Sequence, residues 1–121
     1  MASNITVDTL TKGGVTLNTD EIVDINNTRV CKAWVNFDGE STVAIRASYN
    51  VSSITDNGTG NYTVNFSVAL EDDDSAPLFN SGTTRNTIEM DAVSSTSASV
   101  TIKNSSGSTI DQEFVTCIVF R

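Results

Sequence analysis

Over most of the chain, apolar side chains alternate with polar ones, and only an extended strand repeats with that period of two. The segment CKAWVNF places Cys31, Ala33, Val35 and Phe37 on one face and leaves Trp34 on the other. Because a helix would spread these side chains around its surface, the pattern predicts antiparallel strands that each bury one face. With 121 residues, the chain is long enough for one domain with a modest core.

Two Gly-containing segments interrupt the alternation and predict hairpin turns. In DGES, Asp38-Gly39 would supply the positive φ angles of a tight turn, and in TDNGTG, Asn57-Gly58 is the strongest short hairpin signal of the chain. The strand between these turns, TVAIRASYNV, is expected to direct one set of side chains to the same face: Val43, Ile45, Ala47, Tyr49 and Val51. The strand after the second turn, NYTVNFSVAL, is expected to direct another set inward: Tyr62, Val64, Phe66, Val68 and Leu70.

The remainder of the chain predicts a long loop and then further strands. EDDDSAPLFNSGTTR is acidic and contains Pro77 and Gly82, residues that favour a loop. NTIEMDAV and SASVTIKN follow as strands, the second with Val100 and Ile102 on one face, and SSGS turns the chain into EFVTCIVF. This last segment is apolar on both faces, so both are expected to be covered, within a sandwich or at a subunit contact.

Residues 1–28 differ from the rest of the chain. They contain short β-prone pieces around Gly13-Gly14, and their apolar content is too low for an independent fold. We therefore expect an extended N-terminal arm that becomes ordered along a neighbour. Residues 29–121 are expected to form a single all-β domain, an antiparallel β-sandwich of jelly-roll or barrel-like form.

The residue inventory disfavours catalysis and several classes of ligand. There is no His, so Ser-His and Cys-His pairs are impossible, and no enzyme activity and no cofactor are expected. A net charge of −8 with seven scattered Lys and Arg disfavours nucleic-acid binding. No apolar run approaches the ~18 residues of a membrane span, and no secretory signal is recognisable, so no membrane insertion is expected.

The acidic run and the two cysteines each allow two interpretations. Glu71, Asp72, Asp73 and Asp74 could bind a hard cation, but they lack the alternating spacing of a calcium loop, so an exposed, solvated loop and no metal site are expected. Cys31 and Cys117 are too far apart in sequence for a short metal-binding motif. They are expected to be small buried side chains, or to form a disulfide if their strands are neighbours.

Five side chains are candidates for a subunit interface. Trp34 and Arg46 both lie opposite the apolar face of their strands, and Trp and Arg are enriched at interface centres, so we expect them to pack together at a subunit contact. An ordinary half-buried Trp beside a surface Arg is the alternative. The last strand adds Phe114, Ile118 and Phe120 on its second apolar face.

Two segments carry a specific resemblance. KAWVNFDG, residues 32–39, and AIRASYNVSSITDNGTGNYTVNF, residues 44–66, resemble a small β domain of tailed-bacteriophage virion proteins that are often labelled tail fibre. The resemblance implies a surface component of the virion, made in the host cytoplasm, that assembles as a homotrimer and contacts other virion proteins. As a tail-fibre-type module it would serve attachment through loops 71–87 and 103–112, with a host surface glycan as a further candidate partner.

The arm and the short chain also suit a second function. In a capsid decoration (cement) protein, the arm would clamp the major capsid shell, and the short length favours this alternative. In either case the apolar side chains expected to attach the arm are Ile5, Val7, Leu10, Val15 and Leu17. A carbohydrate-binding domain without virion attachment is a third possibility, disfavoured because both tyrosines are expected to face inward.

Overall fold

A computed structural model describes residues 9–18, 30–82 and 85–121 of the chain. All regular structure in these ranges is β and every strand pairing is antiparallel, which confirms the predicted all-β sandwich. The chain divides into two compact units, Met1–Val30 and Cys31–Arg121. Within the described ranges, no helix is long and apolar enough to cross a membrane.

The first unit contains a hairpin. Strand β1 (Thr9–Lys12) pairs with β2 (Val15–Asn18), so this part of the predicted arm is a two-stranded ribbon. Gly13 and Gly14, with φ of 60° and 81°, make the two-residue turn, and only glycine adopts two such angles in succession without cost. The other residues of the predicted arm, including Ile5 and Val7, lie outside the described residues.

In the described part of the second unit, eight strands form two four-stranded sheets. The front sheet has the order β4-β3-β10-β7, and its strands are β3 (Cys31–Asp38), β4 (Ala44–Tyr49), β7 (Ala76–Ser81) and β10 (Val115–Phe120). The back sheet has the order β5-β6-β9-β8, and its strands are β5 (Val51–Gly58), β6 (Asn61–Phe66), β8 (Asn86–Val93) and β9 (Ser97–Asn104).

The core lies between the two sheets and follows the alternation of the sequence. Phe37 of the front sheet meets Tyr62 of the back sheet edge to face, with ring centroids 5.3 Å apart. The predicted inward positions of β3 and the first part of β6 are confirmed. The fully or nearly fully buried apolar side chains are Ala33, Val35, Phe37, Val51, Tyr62, Val64, Phe66, Ala98, Val100, Ile102, Val115, Cys117 and Val119.

The predicted continuous strand over residues 42–51 is wrong. Asn50 has a φ of 54° and carries the chain from β4 in the front sheet to β5 in the back sheet. Its side-chain amide donates to the carbonyls of Lys32 and Val68, 3.1 Å each, and its Oδ1 accepts from the Val68 N–H at 2.8 Å. An irregularity in register between β3 and β4 also breaks the alternation, and Tyr49 is 58% exposed where an inward position was expected.

The first predicted turn is a longer loop. Residues 39–43 connect β3 to β4, and the positive φ of 56° belongs to Ser41 and not to Gly39. Gly39 is needed for another reason: a Cβ at this position would lie 2.6 Å from the Tyr62 hydroxyl and 2.9 Å from the Gln112 carbonyl. Close packing, and not turn conformation, therefore requires glycine at Gly39.

The second predicted turn lies two residues later than expected. Asn57 and Gly58 still belong to β5, and Thr59 and Gly60 connect β5 to β6. The register shifts between Asp56 and Gly58, which takes Asn57 out of regular pairing. Gly60 has a φ of 68°, and a Cβ there would lie 2.6 Å from a neighbouring backbone carbonyl, so the tight turn needs glycine at this point.

The predicted loop over residues 71–85 contains strand β7. Pro77 is tolerated because β7 is the edge strand of the front sheet, where a missing N–H removes no hydrogen bond on its outer side. The prediction for Val68 is also wrong. Strand β6 ends at Phe66, and Val68 is 69% exposed in the connection that follows, while Leu70 packs against the core.

The strands place the loops at two opposite ends of the sandwich. Cys31 and Phe120 are paired neighbours, so the chain enters and leaves the unit at one end, and the acidic segment 71–74 lies at that end too. The connections 39–43, 59–60 and 105–114 lie at the other end, joined by hydrogen bonds such as Gly39 N–H to the Gln112 carbonyl. The predicted loop 71–87 is therefore divided between the two ends: residues 71–74 lie at the first end, and Asn86 and Thr87 lie at the other, paired with Asn104 and Lys103 of the predicted loop 103–112.

Candidate interface on the front sheet

Four large side chains form a continuous line across the outer face of the front sheet. Tyr49 pairs with Trp34, Trp34 with Ile118, and Ile118 with Leu78, so each strand contributes one residue at the same level. Paired residues project from the same face of a sheet. All four are exposed, from 39% for Trp34 to 64% for Leu78. We call these four residues the apolar row.

Two further aromatic side chains extend the row along β10. Phe114 is 45% and Phe120 39% exposed, and with the apolar row they form what we call the apolar face. A shallow groove of about 460 Å³ opens beside the row, lined by Cys31, Trp34, Val35, Thr116, Cys117, Ile118 and Phe120. The sandwich core therefore covers only one face of the doubly apolar last strand: Val115, Cys117 and Val119.

The sequence identified four of these residues and missed two. Trp34, Phe114, Ile118 and Phe120 were candidates, and the structure brings them together on one face. Tyr49 was expected to face inward and Leu78 to lie in a loop. The available signal was that the outward Leu78 is followed by Phe79, which packs against the core. This short alternation comes directly after Pro77, which favoured a loop.

Arg46 closes one end of the apolar face. Its guanidinium lies over the ring of Phe114, 4.6 Å from the centroid, so its aromatic partner is Phe114 and not the expected Trp34. The same group donates to the carbonyls of Phe37 and Glu113 and forms ion pairs with Asp38, at 3.0 Å, and Glu113, at 3.5 Å. Its charge is balanced within the chain, and the side chain ties edge strand β4 to the segment before β10.

The acidic segment is held against the other end of β10. Arg121 forms a two-pronged ion pair with Asp72, and this hydrogen bonding, with a further bond from the Asp74 N–H, lowers the pKa of Asp72 to about 2. Asp73 accepts a hydrogen bond of 2.6 Å from the Ser95 N–H. The four acidic side chains lie on the surface as expected, but two of them fix the loop in place.

The outer face of the back sheet is polar, in contrast to the apolar face. Asn65 donates to the hydroxyls of Ser53, at 3.1 Å, and Thr55, at 2.9 Å, so it connects two positions of β5. Asn61 donates to the Thr101 hydroxyl at 3.1 Å. Cross-strand amide and hydroxyl bonds of this kind satisfy the polar groups of the sheet, so part of the Asn, Ser and Thr excess of the sequence lies on this outer face.

A buried hydrogen-bonded group joins the loops at the far end of the sandwich. The Tyr62 hydroxyl lies 2.7 Å from Asp111 Oδ1 and 2.8 Å from the Gly39 carbonyl, and Asp111 also accepts from the Gly60 N–H at 2.7 Å. Burial, followed by the neighbouring Asp111 carboxylate, raises the pKa of Tyr62 well above its ordinary value. The hydroxyl and Asp111 thus connect three loops.

The two cysteines are free thiols. Strands β3 and β10 are neighbours, but Cys31 pairs with Phe120 and Cys117 with Val35, so the two cysteines are not opposite one another. Burial raises the pKa of Cys117 to about 12, with a smaller contribution from Cys31. Cys117 is the small buried side chain that was expected, whereas Cys31 is half-buried beside the groove.

Two of the arm candidates within the described hairpin are exposed. Leu10 is 57% and Val15 64% exposed, and Leu17 pairs with Leu10 across the two strands.

Among the described residues, no group of three or more His, Cys, Asp or Glu side chains could hold a metal ion. No family model, no curated protein and no solved structure matches this chain.

Proposed function

We propose that this chain is a structural protein of a tailed-bacteriophage particle, exposed on the particle surface as a tail-fibre-type module that assembles as a homotrimer and serves attachment. The observation that carries the proposal is the contrast between the two sheets. One outer face presents six large apolar side chains, and the other presents a hydrogen-bonded polar surface. A protein that associates through one face and remains hydrated on the other has this distribution.

The resemblance to virion proteins supports the same function. The segments that carry this resemblance, 32–39 and 44–66, correspond to β3, β4, β5 and β6, so they build parts of both sheets. They also include Trp34, Arg46 and Tyr49 of the apolar face and its border. The proposed role depends on contacts with other protein surfaces and involves no catalytic group.

The separate N-terminal unit favours a second location on the particle. A two-stranded hairpin is marginally stable by itself, and Leu10 and Val15 are exposed on it, so contact with another surface would stabilise it. In a capsid decoration protein this surface would be the major capsid shell. Both alternatives place the chain on the exterior of the virion and differ in its position and copy number.

Labelling of intact particles tests the proposal. Antibodies raised against the purified chain, visualised with gold in electron micrographs of the phage that encodes it, should mark the tail tip or fibres. Quantitative mass spectrometry against the major capsid protein gives the copy number, which is small for a tail component and hundreds for a decoration protein. Particles that contain neither label nor peptide would refute both alternatives.

A further inference from the structure

The apolar face is larger than the isolated apolar side chains of an ordinary protein surface. With about 150–250 Å² for each aromatic ring and the exposed fractions given above, the six side chains present roughly 500 Å². This is at the upper end of the ~300–600 Å² of the largest patch on a typical monomer. It is more than half of the ~800 Å² that one partner contributes to a stable interface.

We propose that a second copy of this chain covers the apolar face, so that Trp34 and Ile118 lie at the centre of the contact between subunits. The inference rests on the proposed function, in which copies of the chain assemble. It adds the surface through which they do so, including Tyr49 and Leu78, which sequence patterns did not identify.

The charge distribution permits a second copy on this face. The chain carries a net charge of −8, so two copies repel one another over most of their surface. The apolar row is uncharged, and the arginines at the two ends of the face are paired within the chain, Arg46 with Asp38 and Glu113, and Arg121 with Asp72. The apolar row therefore allows two copies to meet through uncharged side chains.

The apolar face has both a projecting and a recessed part. In a cyclic trimer the two contacting surfaces differ, and a projecting side chain of one subunit enters a recess of the next. Leu78 projects from edge strand β7, and the groove beside Trp34 is a recess of about 460 Å³ lined mainly by apolar side chains. Leu78 and the groove therefore provide both parts of such a contact.

The single tryptophan of the chain gives a direct test on the unmodified protein. If the apolar face is the interface, raising the protein concentration should increase the mass from 12.9 kDa towards a multiple of it, three for the expected trimer. At the same time, acrylamide quenching of Trp34 should fall by about threefold, because an interface core is packed like a protein interior. Assembly without a change in quenching would overturn the inference, as would a monomer at all concentrations.

Matched variants identify the face and its occupant. Leu78→Lys should raise the dissociation constant at least about tenfold, because a charge would be buried at the contact. Met90→Lys is the control, since Met90 is 54% exposed on the edge strand of the back sheet, and it should leave the mass unchanged. Equal effects of both substitutions would contradict the inference.

A third variant separates the second copy from the hairpin as occupant. Leu10→Ser with Val15→Ser removes exposed apolar side chains of the first unit and should change neither mass nor quenching. Loss of Trp34 protection in this variant would show that the hairpin covers the face and would overturn the inference. Labelling of particles is independent of these measurements. A protein found on the virion can therefore fail this test, and a protein that passes this test can be absent from the virion.

Discussion

Removing one buried hydroxyl should measurably destabilise the sandwich. In Tyr62→Phe the ring keeps its contact with Phe37, but the hydroxyl that bonds Asp111 and the Gly39 carbonyl is lost. A hydrogen bond to a charged group contributes about 1.5–3 kcal/mol, and a buried acceptor left without its donor adds a desolvation cost. Since Asp111 retains its bond from the Gly60 N–H, we expect a loss of about 2 kcal/mol in the free energy of unfolding.

The size of this effect should depend on the charge of Asp111. In the Asp111→Asn background, the amide oxygen still accepts from Tyr62, but the bond is no longer charge-assisted, so Tyr62→Phe should cost only about 1 kcal/mol. Tyr49→Phe is the matched control. Tyr49 is 58% exposed, and loss of its hydroxyl should change stability by less than about 0.5 kcal/mol.

Urea unfolding followed by far-ultraviolet circular dichroism, at one fixed protein concentration, measures all five proteins: the unchanged chain, the three single variants and the double variant. A loss of 2 kcal/mol corresponds to a fall in melting temperature of roughly 10 °C for a unit of this size. If Tyr62→Phe costs the same in both backgrounds, the carboxylate is not the partner that matters. A cost no larger than that of Tyr49→Phe would refute the argument altogether.

Three further outcomes follow from the packing and the pKa shifts. Gly39→Ala should cost about 1–3 kcal/mol, measured by the same unfolding assay, because its Cβ would lie 2.6 Å from the Tyr62 hydroxyl; an unchanged midpoint would contradict this. The pKa of Asp72 is lowered in the folded chain from 3.8 to about 2, so its stabilisation is present above pH 4 and disappears as the pH falls towards 2. In Arg121→Gln the melting temperature should therefore fall less steeply as the pH is lowered from 4 towards 2. A pH profile identical to that of the unchanged protein would refute the ion pair. Cys117, in a variant whose other cysteine is Ser, should react with a disulfide reagent at pH 8 at least about 100-fold more slowly when folded than in urea, since its thiolate is disfavoured by burial.

The alternation of the sequence was sufficient to predict the core but not the path of the chain between the sheets. Val35, Val64 and Val100 were assigned correctly because each lies in a regular strand whose period is two. Tyr49 was not, because the left-handed Asn50 that follows it, and a register irregularity earlier in β4, between Ile45 and Ala47, interrupt that period without any Gly or Pro. The side-chain amide of Asn50 compensates for the corner through contacts that are distant in sequence.

The candidate interface shows the same limit. Ile118 and Phe120 were recognised because β10 is apolar on both faces, a property of a single strand. The apolar row, however, depends on which residues of four strands stand side by side, and Leu78 joined it only through its pairing with β10. Register between distant strands is set by packing, so no local pattern could have assembled that row.

The pairing of Cys31 with Phe120 has a consequence for how such a unit could be built into larger polypeptides. The first and last strands of the sandwich are adjacent and antiparallel, so its two ends lie close together. The sandwich could therefore be inserted into a surface loop of another protein while the two ends of that loop stay within the width of a strand pair. Successive units joined in tandem would branch sideways from a common stem, and their far-end loops would all project away from it.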